Sequence, residues 1–281
     1  MSAVTSLLRG IMSTKSYSIA AVLLLASTSF LTGAAVPVGV DPPVKLPTEI
    51  SINSTNTFAT TAATATRQTM ADPRGTLIAE SKAGWPSGSA TAVLAVTDPT
   101  YAPALGAATA LARSQNIPLL VVDRTAGNAS VVAELKRLGA NKVILIGAAW
   151  SPKEAVRQEI NAAVTNQEWV SAPGSKEIAA AVAAKFGSSP NEAYMAPVSS
   201  AGDVAIAAAA SAFQKSPLLL VDTAIDSNQL AEIKRLGIKT ILMVGNSTLD
   251  EASATALTNA NVAVGDITGA TVPQRSEAVL D

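Results

Sequence analysis

Neither cysteine nor histidine occurs in this chain of 281 residues. The first absence excludes disulfides, thiol nucleophiles and thiolate metal sites, while leaving secretion and cytosol equally open. The second removes the commonest general base, the Ser-His-Asp and Cys-His nucleophile systems, and the usual transition-metal ligand. No metal, cofactor or catalytic residue is therefore expected, and enzyme readings start at a disadvantage. Charge is sparse and balanced: 15% of residues are charged and the formal net charge is −1, so no global field draws the chain to nucleic acid. No local basic patch qualifies either, and a nucleic-acid partner is not expected. Aromatic residues make up only 4% of the chain, yet 48% is apolar, enough to bury a core for one large or two small domains.

Arg9 and Lys15 precede "SIAAVLLLASTSFL", Ser18 to Leu31, an apolar run of signal-peptide length. "TGAAV" then offers small residues, and cleavage after Ala35 is expected, giving a signal peptide over 1–35. The competing reading is an uncleaved membrane anchor, because apolar character continues weakly to Val40, although Thr32 and Pro37 interrupt a clean span. Residues 36–70 have the composition of a linker. Proline keeps its start extended, and the Ser/Thr/Ala/Asn run has too few large apolar groups to offset the entropy of ordering.

From about Ala71 short apolar runs alternate with amphipathic stretches. "TAVLAV", "IPLLVVD", "KVILIG" and "EWVS" read as strands, and "AYMAPV", "SPLLLVD", "KTILMVG" and "NVAVGD" repeat the order. Helix-length segments separate them, which predicts right-handed crossovers and an α/β fold of tandem parallel-sheet units of the Rossmann or flavodoxin type. The repetition is close: "AELKRLGANKVILIG", Ala133 to Gly147, returns 98 residues later as "AEIKRLGIKTILMVG". Val132, Leu135 and Leu138 match Leu230, Ile233 and Leu236 as the expected inward face, with Lys136-Arg137 and Lys234-Arg235 off it. Gly139 and Gly237 sit where a left-handed helix stop is wanted. Ser151-x-x-Glu154 and Thr248-x-x-Glu251 read as capping boxes. The expected units cover 71–186 and 187–281, and "GATVPQRSEAVLD", Gly269 to Asp281, looks like the opening of a third.

This order of elements, carried by "PLLVVD" and "PLLLVD" and by "ELKRLGANKVILIG" and "EIKRLGIKTILMVG", resembles the bacterial cell wall-binding type 2 repeat from about Ala71 onward. The resemblance implies a secreted protein at the cell wall or cell surface, attached non-covalently through anionic glycopolymers, with modules usually in threes around an approximate threefold axis. Asp203 in "AGDVAIA" keeps the acid of the family's helix opener, and Pro103 stands in its place in "YAPALGA". Where the family has a second glycine after the third strand, this chain has Gly147-Ala148 and Gly245-Asn246.

Candidate polymer-binding residues are thus Lys136, Arg137, Lys234, Arg235 and Asp203. The competing account of the basic pairs is that cations complement the dipole at a helix C-terminus. Gly147, Ala148, Gly245 and Asn246 are candidate anion-cradling loops. Asp123 and Asp222 end apolar strands, where an acid binds a cation or works in acid/base chemistry, or simply begins a turn. Trp85, Trp150 and Trp169 either stack on sugars or fill the core. Two function classes follow: a non-catalytic wall-attachment module, and an exported α/β enzyme or solute-binding protein acting at the strand ends. Self-association is also expected, burying an apolar side of the repeat pair.

Overall fold

The computed structural model describes residues 73–98, 101–125, 127–148, 152–187 and 190–267. The expected export segment 1–35, the linker 36–70, Trp150, Ser151 and the closing stretch 269–281 lie outside the described residues. Among the described residues no helix is long and apolar enough to cross a membrane.

The first unit runs α1 (Pro73–Gly84), β1 (Thr91–Thr97), α2 (Ala104–Gln115), β2 (Leu119–Asp123), α3 (Ala129–Leu138), β3 (Lys142–Ala148), α4 (Glu154–Asn161) and β4 (Asn166–Ala172). The second repeats it with α5 (Ser175–Ala183), β5 (Glu192–Pro197), α6 (Ala201–Gln214), β6 (Leu218–Val221), α7 (Ser227–Leu236), β7 (Thr240–Val244), α8 (Glu251–Asn259) and β8 (Ala263–Ile267). Each unit builds one wholly parallel four-stranded sheet, ordered β2-β1-β3-β4 and β6-β5-β7-β8. This is the flavodoxin-type order, and it is the tandem parallel-sheet architecture read from the sequence.

The strands are continuous apolar runs because both faces are covered: β6 is buried throughout and β3 from Val143 to Ala148. Along β1, Ala92, Leu94 and Val96 point to the core shared with α3 and α4, whereas Val93 and Ala95 point to the core between the units. That second core is made largely of alanine. Ala104, Gly106, Ala107, Ala108 and Ala110 of α2 are buried against α6, which buries Val204 to Ala208. Alanine favours the helix and its small side chain lets the two backbones approach. At Gly106 a Cβ would lie 2.8 Å from Leu218 Cδ2 and 3.0 Å from Ala208 Cβ, so the close approach itself requires glycine.

Helix α1 packs on β2 and α3, and α5 packs in the same way on β6 and α7. The boundary expected after Phe186 falls just past α5, which is shared: it packs on β6 and α7 of the second unit and on α2, β3 and β4 of the first. Helix α5 also follows β4 and covers the β3–β4 face, where Ile144 and Val170 are each 3% exposed. Their counterparts by strand register on β7 and β8, Leu242 and Ile267, are only half-buried. The large apolar side chains exposed among the described residues are Phe213 at 41% and Val264 at 43%, one on α6 and one on β8.

Three local expectations are corrected. The inward face of α3 carries Val131, not Val132, because 131, 135 and 138 follow the i, i+4, i+7 spacing of a single stripe. Its counterpart on α7 is the buried Gln229, whose amide donates to Leu220 O at 2.6 Å. The capping box expected at Glu251 does not form, and Ser151 of the one expected at Glu154 lies outside the described residues. Both glutamates occupy the first helical position, one residue after Lys153 and Asp250, too early to reach back, and Asp250 itself accepts from Ser253 N. The capping box is instead at α7, where Asp226 and Gln229 each accept from the other's backbone N–H. The glycine stops hold: Gly139 and Gly237 close α3 and α7 with φ of 64° and 68°.

Gly106→Val should overpack the α2–α6 contact and destabilise the fold by about 1–3 kcal/mol, read by urea denaturation. On α1, burial pushes the Glu80 carboxyl up to about 7. The unfolded chain ionises this group at the ordinary carboxylate value, so stability is highest below that value and falls as pH rises through about 7. Glu80→Gln should therefore raise the melting temperature more at about pH 8 than at about pH 5, and an equal effect at both would contradict this assignment.

Candidate functional site

In open parallel sheets ligands gather beyond the carboxyl ends of the strands, at the point where the strand order reverses. Here those crevices lie between β1 and β3 and between β5 and β7. In the first unit the described strand ends, those of β1 and β2, are engaged by the chain's own groups. Asp98 is 6% exposed and ion-paired with Arg124. Asp123 accepts from Thr125 N at 2.7 Å, the turn-forming role, and its backbone exchanges two hydrogen bonds with the buried amide of Asn128. Gly147 and Ala148 do not form a loop. They continue β3 and pair with Ser171 and Ala172 of β4.

In the second unit Asp203, 4% exposed, stands in the first turn of α6 and its backbone N–H faces the Ser200 cap. Its carboxylate lies against Gly245, where a Cβ would come within 2.6 Å of Oδ2. Gly245 has φ of 109° and donates to Ile267 O. The Asp203 side chain thus takes the space beside Gly245, so the structure favours Gly245 as a seat for Asp203 over an anion cradle, and Asn246 is exposed. Asp222, 60% exposed at its side chain, is bridged to Lys176 at 2.9 Å and raises the Lys176 pKa. The structure thus gives Asp123 and Asp222 different local partners. Among the described residues no cluster of three or more acids gathers to hold a metal.

The basic pairs lie at the opposite end, and within each pair the two residues do different work. Arg137 donates to Ser81 O, Trp85 O and Pro86 O, closing the C-terminus of α1, and pairs with Glu134 at 2.7 Å. Glu134 is 2% exposed and also accepts from Ser81 Oγ at 2.6 Å. Burial works to raise the Glu134 pKa, and the hydrogen bonds from Arg137 and Ser81 outweigh it, leaving the carboxyl below its usual range. Arg235 repeats the arrangement, pairing with Glu232 at 2.6 Å and donating to Ala183 O at the end of α5. Lys136 and Lys234 are exposed and form no ion pair among the described residues. The sequence carried a signal for the arginine role that was not used: the i,i+3 pattern Glu134-x-x-Arg137 recurs as Glu232-x-x-Arg235.

Two tryptophans have structural partners. Trp85 Nε1 donates to Asn116 O at 3.1 Å, and Arg157 stacks 4.6 Å from the centroid of Trp169.

The same fold is found in solved structures of two cell wall proteins. Cwp6 from Clostridium difficile shares 22% identity with a TM-score of 0.64, matching 73% of this chain and 33% of its own. Cwp8 from Clostridium difficile shares 20% identity with a TM-score of 0.63, matching 73% of this chain and 36% of its own. The chain therefore spans about a third of the length of either protein. No family model matches the sequence, and no curated protein does.

Arg137→Ala should destabilise the protein by about 2–3 kcal/mol, since it strips a buried carboxylate of its charged partner. Lys136→Ala should change stability by less than about 0.5 kcal/mol. Because the folded pKa of Glu134 is depressed, its share of stability is present above the ordinary carboxylate value and lost as pH falls through the folded one. The gap between wild type and Arg137→Ala should accordingly narrow on acidification, measured as urea midpoints across a pH series.

Proposed function

We propose that this protein is an exported, non-catalytic attachment module that holds to a bacterial cell wall through anionic glycopolymers. The observation that carries the reading is the use the chain makes of its strand ends. In the second unit the crevice where an open α/β enzyme or solute-binding protein would seat its ligand is taken by Asp203 against Gly245, and at the strand ends of the first unit Asp98 is engaged by Arg124 and the Asp123 backbone by Asn128. Exposed lysines at equivalent positions of both units remain available to a polyanion. The fold shared with two cell wall proteins, and the signal-peptide-like start followed by a linker, support the same placement.

Sedimentation with purified cell walls tests it. The protein should pellet with walls at low ionic strength and be released as salt shortens the Debye length from about 30 Å to about 8 Å. Protein that stays in the supernatant at low salt, with walls from its own source, would falsify the attachment reading.

A further inference from the structure

The two sheets point the same way, and this gives the molecule two chemically different ends. Lys176, at the start of α5, is bridged to Asp222, just past β6, so β4 and β6 finish at the same end. At the other end Arg235 reaches Ala183 O, and Gln115, closing α2, donates to Lys185 O at 3.1 Å. Every strand therefore begins, and every helix finishes, at one common end. Lys82 and Lys136 stand there in the first unit, and Lys215, Lys234 and Lys239 in the second. All five are exposed and form no ion pair among the described residues. The acid nearest them on β4, Glu168, is consumed between Lys142 and Lys185 at 2.6 and 2.8 Å.

Among the described residues the opposite end carries more acids, alongside Lys153 at the start of α4. The helix N-termini of α6, α7 and α8, the usual anion seats, are occupied by Ser200, Asp226 and Asp250, and Glu154, Glu177 and Glu251 add negative charge in the first turns of α4, α5 and α8. At the strand-start end the helix carbonyls carry a partial negative charge that fades within a turn, whereas each lysine places a full charge beyond it on a long stem.

Resting on the wall-polymer reading above, we infer that the strand-start end is the docking face, and that a linear polyanion lies across it on lysines from both units. The arginines that would grip a phosphate or carboxylate in a two-pronged fork, Arg137 and Arg235, are spent on helix carbonyls. What remains are point charges, so recognition reads charge density along a chain more than the shape of any one sugar.

The full chain is titrated with inorganic polyphosphate and, separately, with phosphatidylglycerol vesicles, and polyphosphate is added as competitor to the wall sedimentation. Lys136→Gln/Lys234→Gln/Lys239→Gln is compared with Ser227→Asp/Asn228→Asp/Asn246→Asp, which lowers the net charge equally using exposed positions of the other end. Melting temperatures close to wild type confirm that both triples are folded. The lysine triple should weaken polyphosphate binding about tenfold or more and the other triple less than about twofold. Equal losses in both triples, no loss in the lysine triple, wall binding that polyphosphate does not compete, or binding to vesicles without binding to polyphosphate would each overturn the docking face. A wild-type protein that ignores walls altogether defeats the attachment reading instead, so the two failures are told apart.

Discussion

A helix that covers one parallel sheet and opens the next must run antiparallel to the strands of both, and α5 is held to that condition at each end. Its first turn is tied to the second sheet by Lys176 and Asp222, and its last carbonyls are taken by Arg235. Just beyond it Lys185 is drawn to Glu168 of β4, whose carboxyl Lys142 and Lys185 together hold below the usual range. With α5 fixed, the sheets are aligned, α2 is brought onto α6, and the alanine-rich contact at Gly106 closes the core between the units. A chain assembled from two separate βα units with no shared helix would have no reason to align its charges; this one does so as a by-product of packing.

The recurring Lys-Arg dipeptide shows how one short motif serves two levels of structure. Adjacent residues on a helix are about 100° apart, so one side chain can turn inward along the helix flank while its neighbour faces water. The arginine takes the flank position and completes the C-terminus of the opener helix 51 to 56 residues earlier in the first unit and 52 earlier in the second. Glu134 and Glu232 hold the guanidinium planes in place from the preceding turn. The lysine contributes favourably to the helix dipole and otherwise stays solvated. Duplication copied both roles together, which is why repetition by itself said nothing about which of the two residues faces a ligand.

Period and composition made most of the fold legible. The strand runs, the alternation with helices, the two-unit repeat and the glycine stops at Gly139 and Gly237 all depend on local pattern, and all are present. Failures occurred where a partner far along the chain decides. Gly147 and Ala148 read as a loop because β3 was expected to end with its apolar run, yet β4 pairs with them and extends the strand. The inward position of α7 is a glutamine, invisible to an apolar template, because a buried carbonyl at Leu220 needs a donor. Asp203 was recognisable as an unusual acid at a helix start, but that it packs into the turn at Gly245 follows only from the sheet bringing the two together.

Exposed lysine–anion contacts are individually weak, on the order of 0–1 kcal/mol, because water screens both partners and each side chain loses rotamer freedom. A surface of such contacts can hold a ligand only if many are engaged at once, which a polymer achieves because its second charge binds at the high effective concentration set by the first. A small anion gains no such advantage and would be expected to escape. The same arithmetic favours repetition: each added unit contributes another lysine at the same end, without a new binding pocket having to evolve, provided the units are kept parallel. The helix shared between neighbouring sheets supplies that condition, so the feature that makes the fold repeatable is also the one that makes its weak charges add.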